Sequence, residues 1–152
     1  MTASFSRRRR AEAYADPVLH ALVAAAAALP LGRRPLAAAV AASVLIDVDH
    51  VVAARSIEPA ALWTLARRPP SHSAAAAVAS GALVGAVGGP RYGWAAFGGL
   101  LSHVLRDAVE GKTPLLWPWA SRERVPERVL LLGSAGLMLG SWAISRATAA
   151  DA

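Results

Sequence analysis

The stretch Leu36–His50, with the sequence LAAAVAASVLIDVDH, decides the fold of this chain. Residues 36–46 carry no charge, and a run of alanine with few aromatic residues favours a helix over a strand. The run has no polar stripe, which an amphipathic helix of a soluble protein would carry. It ends in the cluster Asp47-Val48-Asp49-His50. Because ionisable groups are costly inside a membrane, such a cluster at the end of an apolar helix indicates a functional site.

The composition of the whole chain agrees with a membrane protein. Of the 152 residues, 55% are hydrophobic and 17% are charged, against a usual charged fraction of about 25%. This composition excludes a disordered chain, and the length suits one domain. The chain has no cysteine, which excludes a disulfide framework, a zinc ribbon and a thiol nucleophile. Any metal must therefore be held by histidine and carboxylate side chains.

Five uncharged segments divide the chain, and we predict an all-α, polytopic membrane bundle of about five helices. The segments are 18–31, 36–46, 73–89, 92–105 and 129–145. Proline-bearing turns at 33–35 and 88–91 predict two helical hairpins. We predict a single membrane domain at 16–147, a basic disordered tail at 1–15 and a C-terminal tail at 148–152. Since a spanning helix needs about 20 apolar residues, a soluble alanine-rich bundle is the alternative.

The distribution of basic residues predicts the orientation in the membrane. If all five segments cross, one side carries twelve basic residues, which are Arg7, Arg8, Arg9, Arg10, Arg55, Arg67, Arg68, Arg106, Lys112, Arg122, Arg124 and Arg128. The other side carries four, which are Arg33, Arg34, Arg91 and Arg146. This bias predicts a cytoplasmic N-terminus. The run 7–10 is explained by orientation and anionic lipid, so we expect no specific nucleic-acid partner. A signal peptide is the alternative for the first segment, and its removal would discard His20.

The histidines lie where these segments end. They are His20, His50, His72 and His103, and in an alternating up-and-down bundle all four ends face one side. His103 and Asp107 are one helical turn apart on the same face. In 47–50, a helix would pair Asp47 with His50, whereas an extended end would pair Asp47 with Asp49. Both aspartates could instead cap a helix or pair with Arg106.

Imidazole and carboxylate together form the ligand set of a catalytic zinc or a mixed zinc and manganese site. We expect a divalent metal, with zinc first and manganese second. A bound water of lowered pKa would then be the nucleophile.

Five motifs in order resemble a known family. They are Asp16-Pro17-Val18-Leu19-His20, Asp47-Val48-Asp49-His50, Ser71-His72-Ser73, Ser102-His103-Val104-Leu105-Arg106-Asp107 and Thr113-Pro114-Leu115-Leu116-Trp117-Pro118-Trp119. The chain resembles the YdjM-like family of bacterial inner-membrane, metal-dependent hydrolases. The order of ligands is also similar to that of zinc-dependent phospholipase C and P1-type nucleases. The resemblance implies hydrolysis of a phosphoester, for which a membrane lipid is one option. It implies metal ligands at His20, Asp49, His72, His103 and Asp107, with Asp47 and His50 as additional ligands or as groups that orient them.

The chain departs from the family pattern before His72. The family usually shows His-Arg-Gly there, and this chain has Arg67-Arg68-Pro69, with Ser71 in place of threonine. Arg67 and Arg68, of which Arg68 keeps its position, could hold an anionic phosphate. Alternatively, both arginines only anchor the protein at the membrane surface. The segment Trp117-Pro118-Trp119 is interpreted as a loop at the mouth of the site, an interfacial aromatic belt, or both.

The sequence therefore predicts a membrane-bound metal-dependent hydrolase with Asp47, Asp49 and Arg68 as catalytic residues. Asp47 is the candidate general base or orienting group. An inactive metal-binding or scaffold protein is one alternative, because the usual histidine is missing at position 67. An ion transporter is another, and it would need ionisable groups along the whole path. Glycines at 133, 136 and 140 predict helix contacts in the last segment. Nothing in the sequence indicates the oligomeric state.

Overall fold

A computed structural model describes residues 7–58, 61–62, 65, 68–111, 113–119 and 124–150, with side chains from residue 15 onward. These described residues contain five long α-helices, one short α-helix and the 3-10 helix Leu29–Leu31. The helices are α1 (Arg7–Ala28), α2 (Arg33–Leu45), α3 (Val48–Ala54), α4 (Ala74–Gly88), α5 (Pro90–Glu110) and α6 (Glu127–Ala150). These described residues contain no β-strand. The predicted all-α bundle is confirmed.

Both predicted hairpins occur, but the first one turns at Gly32 and not at 33–35, which begin α2 because proline is tolerated in the first turn of a helix. Gly32, between α1 and α2, has φ of +94°, and Gly89, between α4 and α5, has φ of +88°. Residues other than glycine are strained at such positive φ angles, so glycine suits both turns. Pro90 begins α5, where its missing N–H costs no helical hydrogen bond. Both hairpins turn at the same end of the bundle, which we call the far end.

The opposite end gathers the two longer connections. The Leu115 carbonyl accepts a hydrogen bond from the backbone N–H of Ala74 at the start of α4, at 3.0 Å. The Ala108 carbonyl near the end of α5 accepts one from Val125, also at 3.0 Å. The helices therefore alternate in direction, and α2 and α5 run parallel toward this end.

Small side chains pack inside the bundle and large apolar ones face outward. The core cluster contains Ala28, Leu31, Ala39 and Ala95. At Gly99 an added Cβ would lie 2.2 Å from the Ala39 carbonyl oxygen, because α2 and α5 approach closely there. Small residues at helix contacts are typical of membrane bundles. Leucine side chains of α6, including 131, 132 and 139, are exposed, which disfavours the soluble alternative because such faces aggregate in water.

Two stretches are long and apolar enough to cross a membrane, judged by length and composition. They are Arg33–Ala54, which joins α2 and α3, and Glu127–Ala150. The apolar helices Ala15–Leu31 and Ala74–Gly88 are shorter. At 1.5 Å per residue, the 15 residues of α4 extend about 22 Å, less than the ~30 Å of hydrocarbon. Two spans are thus supported, and five complete crossings remain a prediction.

The ends of the chain differ from the predicted tails. Helix α1 begins at Arg7, so residues 7–15 are helical where a disordered tail was expected. Arginine, alanine and glutamate are strong helix formers, which explains the extension. Helix α6 continues to Ala150, beyond the predicted start of the C-terminal tail. Several residues used in the predictions lie outside the described part of the chain: 1–6, 151–152, Arg67, Lys112 and Arg122.

One predicted helix contact is wrong. A Cβ at Gly133 would meet Leu105, and one at Gly140 would meet Trp94, so these two glycines do lie against α5. Gly136 has nothing within 4 Å of its added Cβ. Residues 133 and 140 are two turns apart on one helical face, whereas 136 has turned away from α5.

Candidate metal centre

The four histidines meet in one layer although they come from four different elements. His20 lies on α1, His50 on α3, His72 just before α4 and His103 on α5. The His20 and His103 rings stack with centroids 3.7 Å apart, and the His50 and His72 rings stack at 4.5 Å. The His72 and His103 rings meet edge to face at 5.0 Å. The predicted convergence of the histidines on one side is confirmed.

The close contact between α2 and α5 orients His103. One turn after the Ala39–Gly99 approach, the Ser43 carbonyl lies 2.6 Å from Nδ1 of His103. Because a carbonyl can only accept, Nδ1 is the donor of this hydrogen bond. The hydrogen bond orients the ring so that Nε2 of His103 faces the carboxylates of Asp47 and Asp107. Such a hydrogen bond to the second ring nitrogen is typical of metal-binding histidines.

His20, His103 and Asp107 form the inner group. Nε2 of His20 lies 3.5 Å from Oδ1 of Asp107, and Nε2 of His103 lies 3.5 Å from its Oδ2. Each of these side chains is at most 1% exposed. Both ring nitrogens of His20, Nε2 of His103 and Oδ2 of Asp107 have no hydrogen-bond partner among the described residues. Buried polar atoms without partners are costly unless they bind something.

Asp47, His50 and His72 form the outer group. Oδ1 of Asp47 lies 3.1 Å from Nδ1 of His50 and 3.4 Å from Nε2 of His72. The same oxygen lies 3.4 Å from Nε2 of His103, so Asp47 joins the outer group to the inner one. The Asp47 side chain is 31% exposed, unlike any member of the inner group.

A break between α2 and α3 brings both aspartates of the cluster to the site. Helix α2 ends at Leu45 and α3 begins at Val48. Asp49 consequently approaches Nδ1 of His72 at 3.4 Å and accepts a hydrogen bond from Ser71. Asp47 contacts His50, as a helix predicts. Asp47 and Asp49 also both approach His72, as an extended end would allow.

Arg68 reaches both groups. Its Nη2 donates to Oδ1 of Asp107 at 3.3 Å, and its Nη1 lies 3.1 Å from Nε2 of His50. Its Nε is 3.1 Å from Oδ2 of Asp107 but lacks hydrogen-bond geometry. The interpretation of Arg68 as only a membrane anchor is therefore wrong. Arg67 lies outside the described residues.

Arg106 does not pair with the aspartates of the 47–50 cluster. Its Nη2 donates to Oδ1 of Asp16 at 2.9 Å, and its Nη1 to Glu110 at 3.4 Å. Asp47 precedes α3 but makes no side-chain capping hydrogen bond. Helix capping and pairing with Arg106, the two structural alternatives for the cluster, are therefore wrong for Asp47.

Asp16 is a site residue that sequence reasoning missed. Its Oδ2 lies 3.5 Å from Nε2 of His20, while Arg106 holds its other oxygen. Asp16 and His20 are four residues apart, the same spacing that singled out His103 and Asp107. That spacing was the signal that could have identified it.

The layer has more carboxylate than cation. Burial lowers the pKa of His72, but the neighbouring carboxylates of Asp47, Asp49 and Asp107 outweigh burial and hold that pKa above its ordinary value. A divalent ion would meet the same demand for positive charge and displace the proton. In each group the candidate ligand atoms lie within 4.8 Å of one another. Imidazole nitrogens and carboxylate oxygens with unpartnered buried atoms fit zinc or manganese.

The tryptophan loop lies beside the site with its rings outward. The bond between Leu115 and Ala74 places the start of the loop next to the His72 segment. Thr113 and Pro114 are buried, whereas Trp117 and Trp119 are exposed. The base of the loop therefore packs at the site, and the exposed rings match an interfacial belt.

Fold and site together define a class: a helical membrane protein with a buried layer of histidine and aspartate that could bind metal. The chain matches the family model described as YdjM inner membrane protein over residues 16–150. It belongs to this family. The matched region begins at Asp16 and includes every histidine of the layer. No curated protein and no solved structure matches the chain.

Proposed function

We propose that this protein is a membrane-bound, metal-dependent hydrolase that cleaves a phosphoester. One observation carries the proposal: the inner group presents two imidazoles and one carboxylate, all buried, whose facing atoms make no hydrogen bond among the described residues. A purely structural layer would be expected to pair these atoms, because buried polar groups are costly without partners. We further propose that the site and the N-terminus lie on the cytoplasmic side, as the basic residues predict.

In this proposal the two groups would hold the metal, zinc first and manganese second. When bound, the metal would supply an activated water and neutralise charge on the phosphoester. The Ser43 carbonyl keeps the proton of His103 on Nδ1 and so leaves Nε2 free as a ligand. Oδ1 of Asp47, on the exposed edge, is placed to accept a proton. Arg68 supplies a guanidinium for the phosphate oxygens.

The transport alternative has little support from the described interior. Between the histidine layer and Arg91 at the far end, no Asp, Glu, Lys, Arg or His interrupts α4 or α5. The guanidinium of Arg91 itself donates to the Ser145 carbonyl at 3.0 Å. An ion crossing this region would meet small apolar side chains instead of ligands.

Metal content is the first test. Mass spectrometry on detergent-purified wild type should find near-stoichiometric zinc or manganese. The His72→Ala/His103→Ala variant should lose it. Ser102→Ala is a matched control, because Ser102 is also buried on α5 but donates only to the Gly99 carbonyl. It should keep the metal.

Activity is the second test. The metal-loaded protein should hydrolyse a chromogenic phosphodiester, and Asp107→Asn should abolish that hydrolysis. No metal in the wild type after metal-supplemented growth would overturn the proposal. Bound metal without hydrolysis of any phosphoester would favour the alternative of an inactive metal-binding protein, which the missing histidine at position 67 suggests.

A further inference from the structure

Among the described residues, the site is most exposed at Asp47 and Asp49. These two side chains are 31% and 27% exposed, whereas Arg68 and Asp16 are 14% and 13% exposed and each histidine is at most 4% exposed. We call the edge formed by Asp47 and Asp49 the open edge.

The open edge belongs to an apolar stretch. Asp47 and Asp49 lie within Arg33–Ala54, one of the two stretches that could cross a membrane. Between and after them, Val48 and Val52 are 57% and 73% exposed. These valines are one turn apart, so they form a continuous apolar strip along α3 beside the carboxylates. A strip of this kind in contact with water would be unfavourable, but it is favourable against lipid.

The tryptophan loop adds exposed apolar side chains near the His72 segment. The loop after Leu115 starts next to the His72 segment, and its Leu116, Trp117 and Trp119 are exposed. Tryptophan concentrates at the boundary between headgroups and hydrocarbon. Exposed apolar side chains of α3 and of the loop therefore accompany the open edge, and among the described residues Arg68 is the guanidinium that contacts both groups.

We propose that the substrate is a phospholipid of the surrounding bilayer that reaches the site laterally over the open edge. This inference rests on the proposed function. The acyl chains remain in the membrane along Val48 and Val52, and the phosphate reaches Arg68. Binding of this kind does not require the acyl chains to leave the hydrocarbon for water, and membrane anchoring raises the local substrate concentration. A water-soluble phosphoester gains neither benefit.

The reaction is the hydrolysis of a phosphodiester. The oxygen of a water molecule bonds to phosphorus, and the bond from phosphorus to one ester oxygen breaks. One proton of the water leaves with the released alcohol, and the other stays on the phosphomonoester. No oxidant or reductant is needed.

The test compares two substrates and two variants of the metal-loaded protein. The substrates are phosphatidylglycerol in nanodiscs and soluble bis(4-nitrophenyl) phosphate. Val48→Asn/Val52→Asn makes the strip polar, and Val87→Asn is the matched control, since Val87 is exposed on α4 at the far end. We expect the double variant to lower hydrolysis of the lipid at least tenfold and to leave hydrolysis of the soluble ester unchanged. Val87→Asn should change neither rate. A photoactivatable phosphatidylglycerol should crosslink to the segment 45–57 of the wild type.

The outcomes separate the two proposals. Hydrolysis of the soluble ester that equals or exceeds that of the lipid, or a double variant with full lipid activity, would overturn lateral lipid access and leave the hydrolase intact. Crosslinking elsewhere would also overturn it. Failure to hydrolyse either substrate would overturn the hydrolase and, with it, the lipid substrate.

Discussion

The inner and outer groups use the same two residue types in different surroundings. His20, His103 and Asp107 come from the long helices α1 and α5 and are fully buried. The outer group comes from a short helix and a loop, and its Asp47 is partly exposed. Packing between long helices buries the inner group, whereas the break between α2 and α3 leaves Asp47 of the outer group partly exposed.

The largest expected effect is the loss of an inner ligand. Asp107→Asn should lower metal affinity by at least about 100-fold, because even groups that only orient ligands cost 10–100-fold. Asp47→Asn should weaken binding less, since water can replace an exposed carboxylate oxygen. Competition with a chelator measures both affinities. Equal losses in the two variants would contradict the distinction between inner and outer groups.

Arg68 should act in opposite directions on metal binding and on hydrolysis. Its guanidinium occupies Asp107 and His50, one member of each group. Removing that charge in Arg68→Gln should raise metal affinity about tenfold, because unit charges about 4 Å apart interact by at least ~1 kcal/mol.

Hydrolysis by the same variant should fall, because the phosphate loses its guanidinium. Chelator competition and turnover of the soluble phosphodiester provide the two measurements. Arg91→Gln, at the far end of the bundle, is the control and should change neither. Weaker metal binding in Arg68→Gln would show that the arginine orders the ligands instead of competing with metal.

Packing should matter for the inner group and not for the outward face of α6. A Cβ at Gly99 would collide with the Ala39 backbone, one turn before Ser43 and His103. Gly99→Ala should cost about 1–3 kcal/mol of stability and also weaken metal binding. Gly136→Ala, with no neighbour within 4 Å, should raise stability by up to about 1 kcal/mol.

Thermal unfolding in detergent, with and without added zinc, measures the difference between the two glycine variants. If Gly99→Ala unfolds and binds zinc like the wild type, then the close approach of α2 and α5 does not support the inner group.

The smallest expected effects come from the carboxylates that flank each group. Asp16 contacts His20, and Asp49 contacts His72. Asp16→Asn and Asp49→Asn should each lower metal affinity about tenfold, as expected for groups that orient ligands. The glutamate variants should recover part of the loss, measured by the same chelator competition. A loss as large as that of Asp107→Asn would make either residue a ligand.

The sequence predicted the parts of the site that depend on local spacing. His103 and Asp107 share a helical face because they are four residues apart, and the same rule would have identified Asp16 beside His20, which sequence reasoning missed. It could not rank Asp47 against Asp49, because their positions depend on the break between α2 and α3. Nor could it decide whether Arg68 anchors the membrane or reaches Asp107, since that depends on the path of the chain before His72.

The sequence alone predicted the helical segments, the two hairpins and the side of the bundle on which all four histidines lie. Hydrophobic patterning and the alternating direction of short hairpins are sufficient for that. Only the tertiary structure decided that Asp47 joins the two groups, that the Ser43 carbonyl orients His103, and that one edge is open. These features require contacts between helices distant in sequence, and the close packing of alanine and glycine between those helices sets the distances.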